Sequence, residues 1–161
     1  MKKRFAALAI CLTAVFASAC GSAAHDPEHS DAHQQPNGDL RETTESIGTL
    51  PAFLEGQPDV VRNAYIIAGL SADVLEWIPC YCGCGESAGH RSSKNCFIYE
   101  VREDGKVVWD DHGTRCGVCI QIAVESAVMH KDGKTLKEIR QAIDAKYGQG
   151  YGAPTPTPMP M

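Results

Sequence analysis

PCYCGC, residues 79–84, sets three sulfurs at alternate positions behind a proline, and no other stretch limits the fold of the chain so strongly. Pro79 ends any helix that runs into it, and Gly83 and Gly85 favour loop backbone, so the cysteines are expected on a non-helical segment. Residues two apart in extended chain share a face. Cys80, Cys82 and Cys84 are therefore expected to present their sulfurs together. Cys96, Cys116 and Cys119 complete a set of six within forty residues, while Cys11 and Cys20 lie near the N-terminus.

Sulfurs so close in sequence make strained disulfide partners for one another. A disulfide framework would instead pair the triplet with Cys96, Cys116 and Cys119, which reduces fifteen connectivities to six. The same convergence could equally form a thiolate pocket, and soft thiolates select Cu(I) and Zn(II). Six sulfurs can hold one ion with ligands to spare, or several ions through shared sulfurs. His90 and His112 stand near cysteines and could complete coordination, so the candidate metal ligands are Cys80, Cys82, Cys84, Cys96, Cys116, Cys119, His90 and His112.

CGVC at residues 116–119 has a third reading, because a CxxC opening a helix is also how dithiol oxidoreductases activate a thiol. Cys116 would attack and Cys119 would resolve. No βαβ pattern precedes the motif, which separates it from a thioredoxin-like context. No Ser/His/Asp triad, phosphate-binding glycine loop or paired-carboxylate signature is present, so no other reaction is expected.

Residues 1–19 read as a secretory signal: Lys2, Lys3 and Arg4, an apolar run from Phe5 to Phe16, then small residues before Cys20. Ala17-Ser18-Ala19-Cys20 resembles a bacterial lipobox with Ala17 where Leu is usual, which would make Cys20 the lipidated first residue and the membrane a partner. Removing residues 1–19 takes away three basic and no acidic residues, so the net charge of −5 becomes −8. This balance argues against nucleic acid as a partner.

The polar stretch at residues 20–49, with His25, His29 and His33 among acids, is expected to be a flexible tether. The proline-rich residues 149–161 are expected to be disordered or extended. Residues 50–148 should then form one small, helix-rich α+β domain. Pro58 can open a helix that carries Val60, Val61, Ala64, Tyr65 and Ala68, and Ser71 can cap a short second one before Pro79. CFIYEV, EDGK and VVWD predict a central β-hairpin. Gly113 or Thr114 can cap a helix from about Arg115 to His130, and Thr135 with Glu138 makes a capping box for the last helix. Trp77, Trp109 and Tyr99 are expected in the core around the cysteines.

PCYCGC itself, Gly89 and His90, Cys96, the CxxC at 116–119 and DGKTLKEIR at 132–140 together resemble the bacterial lipoproteins named for the PCYCGC motif. The resemblance implies membrane-anchored export and one shared cysteine-rich domain, but no mechanism. The expectation is an extracytoplasmic lipoprotein, not an enzyme, whose cluster binds copper or zinc for storage, delivery or sensing and meets a metal-transfer or membrane protein partner. A disulfide-stapled interaction module and a thiol oxidoreductase are the alternatives.

Overall fold

A computed structural model describes residues 31–161. The expected signal segment, Cys20, His25 and His29 lie outside the described residues. Along the chain come β1 (Ala32–Gln34), β2 (Leu40–Thr44), α1 (Asp59–Leu70), α2 (Ala72–Leu75) and α3 (Gly85–Ala88). They are followed by β3 (Ile98–Val101), β4 (Val107–Asp110), α4 (Gly117–Lys131) and α5 (Leu136–Tyr147). The small, helix-rich α+β architecture expected from the sequence is what forms.

The expected hairpin is β3 and β4, paired antiparallel with an irregular register between Ile98 and Glu100. It belongs to a larger sheet of order β1-β2-β4-β3, all antiparallel. This corrects the tether: within residues 20–49, Ala32–Gln34 and Leu40–Thr44 are strands. Apolar content gave no sign of β2 because its buried residues are polar and specifically partnered. The Glu42 carboxylate accepts the backbone N–H groups of Ala52 and Phe53, at 2.6 and 3.2 Å. Thr44 Oγ1 accepts the indole N–H of fully buried Trp109 at 2.8 Å, and Arg41 pairs with Asp110 at 2.9 Å. Buried polar groups partnered in this way no longer oppose folding.

α1 follows Pro58 and buries Val61, Ala64, Tyr65 and Ala68 of the expected set, but Val60, next to Val61 and so about 100° round the helix, faces solvent. Tyr65 packs edge-on against Phe53 and Phe97 and donates its hydroxyl to Asp110 O at 2.7 Å. Ser71 makes no side-chain cap to α2, and α4 starts beyond Cys116 without a side-chain cap, so neither Gly113 nor Thr114 serves there. The Thr135–Glu138 capping box does open α5. α4 is buried on two sides: Cys119 and Ala123 join the core containing Tyr65, Phe97 and Trp109, and Ile122 joins Ile139, Ile143, Tyr81 and Tyr147. Of the expected core aromatics, Trp109 is buried and Trp77 partly so. Tyr99 is exposed, with the Arg41 guanidinium 3.5 Å from its ring centroid.

Residues 149–161 are not free either. Gly152 N–H donates to Tyr81 O at 3.0 Å, Thr155 N–H donates to Cys80 O at 3.0 Å, and Cys80 N–H donates to Thr155 Oγ1 at 2.9 Å. Further on, the Thr157 hydroxyl donates to Arg91 O and Arg140 donates to the carbonyls of Thr157 and Pro158. Alternation explains why a proline-rich segment docks: Thr155 and Thr157 turn inward to bond, and Pro154, Pro156 and Pro158, which have no N–H to satisfy, face out. A side chain at Gly152 would place its Cβ 2.3 Å from Gly83 N, so only glycine lets this strap cross the cysteine loop. No helix among the described residues is long and apolar enough to cross a membrane.

Candidate metal centre

Three segments distant in sequence deliver the sulfurs. Pro79 carries the chain out of the α2 region into the loop that bears Cys80 and Cys82. A 3₁₀ turn, Ser93–Cys96, held by a Ser92–Asn95 capping box, ends at Cys96. The first turn of α4 supplies Cys119, with Cys116 at its N-cap. Cys80, Cys96 and Cys119 are 1%, 0% and 0% exposed, and their sulfurs lie within 4.8 Å of one another. Cys80 Sγ and Cys119 Sγ are 3.4 Å apart. An ion with bonds of about 2.3 Å to sulfur holds tetrahedral ligands roughly 3.8 Å apart, so the spacing suits ligation.

The loop is not extended throughout. Gly83 takes φ +81° and Cys84 a right-handed helical conformation, which turns the chain into α3. Cys84 consequently stays exposed, beside Cys82 but not buried with Cys80. The same turns aim backbone amides at sulfur: Cys82 N–H donates to Cys80 Sγ at 3.4 Å, and Cys84 N–H donates to Cys82 Sγ at 3.3 Å. Donors directed at a sulfur favour its thiolate. Contacts with Cys116, and then with Cys119, Cys80 and Cys96, pull the half-buried Cys82 thiol well down. Cys116, followed by Cys80, Cys82 and Cys96, holds Cys119 up, so Cys82 gives up its proton early and Cys119 late.

The two histidines flank this cluster at different depths. His90 is 2% exposed, its Nδ1 lies 3.6 Å from Cys96 Sγ, and its buried Nε2 has no hydrogen-bond partner. Desolvation, reinforced by nearby His112, lowers it to about 4 and keeps the imidazole neutral, the form that ligates metal. His112 behaves oppositely, raised to about 9 chiefly by its contact with Cys82, against desolvation and with help from Asp39. Its Nδ1 is 3.3 Å from both carboxylate oxygens of Asp39. The two rings meet edge to face with centroids 4.8 Å apart.

Asp39 was not legible as part of the site, because its surroundings read as tether. It is buried just before β2 and is held by Arg115 and by Asn37 Nδ2. A cue existed in NGD, residues 37–39, whose turn chemistry marks ordered backbone.

Sets of potential ligand atoms within 4.8 Å of one another comprise Cys80, Cys96 and Cys119; Cys82, His112 and Cys119; and Asp39, His90 and His112. A fourth, Asp39, Asp110 and Asp111, already meets the guanidinium groups of Arg41 and Arg115. The cysteine cluster could thus hold a metal. Among the described residues the six cysteines are free; five interact closely with one another, and the exposed Cys84 stands at the edge of the cluster with its thiol against Cys82. Contact with Cys119 favours the Cys116 thiolate, but contact with Cys82 and burial outweigh it and raise the thiol.

A family model described as "Protein of unknown function with PCYCGC motif" matches residues 9–160. No curated protein and no solved structure matches the chain.

Proposed function

The chain belongs to the PCYCGC-motif family, and we propose that it is an extracytoplasmic, lipid-anchored protein that binds a soft metal ion, Cu(I) before Zn(II). The observation that carries this reading is the buried triad of Cys80, Cys96 and Cys119. Any disulfide among these three sulfurs leaves one unpaired, and contacts with neighbouring sulfurs, together with burial, hold the protons on Cys96 and Cys119, so ligation needs a cation whose positive charge displaces them. A soft d¹⁰ ion supplies that charge. Three sulfurs suffice for Cu(I), whereas Zn(II) prefers four ligands and would recruit Cys82. Cys20 would tether the domain to the bacterial membrane, on whose outer side the ion is stored, sensed or passed to a partner protein.

Anaerobic titration with Cu(I) against a chromophoric chelator tests the assignment. Cys96→Ser should weaken binding by more than the ~10–100-fold typical of losing an outer-shell partner, because it removes a ligand outright. Undiminished affinity in that variant, or no uptake by the native chain, would overturn it.

A further inference from the structure

The buried triad accounts for only part of the cluster. Cys82, His112 and Cys119 form a second convergent set, and Cys119 is common to both. Cys116 stands against Cys82 and Cys119. Thiolate sulfur has lone pairs enough to bridge two soft ions, which neither imidazole nor a hydroxyl does as readily.

We propose that the centre is binuclear, with Cys119 Sγ bridging one ion held by Cys80 and Cys96 and a second held by Cys82 and His112, Cys116 completing the ligand set of the second ion. The inference rests on the soft-metal reading above and specifies its stoichiometry. Two features support it independently of sulfur spacing. His112 turns Nδ1 to the Asp39 carboxylate at 3.3 Å, which leaves Nε2 as the nitrogen available to a metal. A carboxylate that fixes the far side of an imidazole is the usual support of a metal-ligating histidine. Asp39 is itself fixed by Arg115, so the orientation is imposed from outside the sulfur cluster.

The burial of the two positions differs. The first position is enclosed by residues of 0–1% exposure, whereas Cys82, His112 and Cys116 are only partly buried. The inner ion is therefore the retained one, and the outer ion is the one that exchanges with a partner or chelator. Asp39 is a positioning residue for the outer ion and does not touch it.

The test is anaerobic titration of the full chain with Cu(I), followed by X-ray absorption at the copper edge. Two equivalents per chain are expected, with sulfur ligation and a short copper–copper scattering path. His112→Asn should remove the weaker equivalent and that path while retaining the tighter one, and Asp39→Asn should weaken the outer ion alone. Saturation of the native chain at one equivalent, or two equivalents with no metal–metal path, would overturn the bridge while leaving soft-metal binding intact. Zero equivalents would instead overturn the function on which it rests. Because the absorption measurement uses the unsubstituted chain, misfolding of a variant cannot decide the outcome.

Discussion

At the scale of single residues, six cysteines alike in sequence have become unlike in environment. Cys80, Cys96 and Cys119 are buried in the main core, Cys82 and Cys116 are partly buried beside them, and Cys84 is exposed. Cys84→Ser should accordingly leave metal affinity within about twofold, whereas Cys80→Ser should reduce it by more than ~10-fold, both read by chelator competition. The motif revealed the sulfurs but not this division, since the strap residue Gly152, which packs against the turn at Gly83, comes from the far end of the chain. His112 was recognisable by its nearness to CxxC, but Asp39, which orients it, was hidden in a polar segment. A separate residue-scale expectation concerns the core. Thr44→Val leaves the buried Trp109 N–H without its acceptor and should destabilise the fold by ~1–3 kcal/mol, measured by denaturant unfolding.

Among the elements, those with local signals were the readable ones. Pro58 and the apolar spacing defined α1, alternation defined β3 and β4, and the Thr135–Glu138 box defined α5. β2 lacked such a signal because its place in the sheet depends on partners outside the strand: Asp110 for Arg41, Trp109 for Thr44 and the amides of Ala52 and Phe53 for Glu42. Local sequence cannot announce such contacts. α4 shows the opposite difficulty, since a helix buried on two sides has no single apolar stripe. The elements also separate stability from binding. Thr135→Ala, at a cap distant in sequence from every cysteine, should cost ~1 kcal/mol of stability, visible as a lower denaturant midpoint, with metal affinity unchanged.

Across the whole molecule, both ends of the described chain support the site, one through His112 and the other through the cysteine loop. The segment through Asp39 and β2 supports His112, and the strap from Gly152 to Thr157 bonds both the amide and the carbonyl of Cys80. Metal capture would contribute to folding free energy in this small domain, because the ligands come from three segments that binding fixes together. Truncation after Gly150 should therefore speed metal release and raise the alkylation rate of Cys80 in the metal-free protein, followed by mass spectrometry. An unchanged rate would show that the strap does not guard the site.

The most direct measurement is of metal and thiol content together in protein purified anaerobically without reductant, using native mass spectrometry, elemental analysis and thiol titration after denaturation. Soft-metal binding requires bound copper or zinc and six titratable cysteines in the domain. A metal-free mass lighter by two hydrogens for each disulfide, with the thiols consumed and no copper or zinc taken up after reduction, would contradict it.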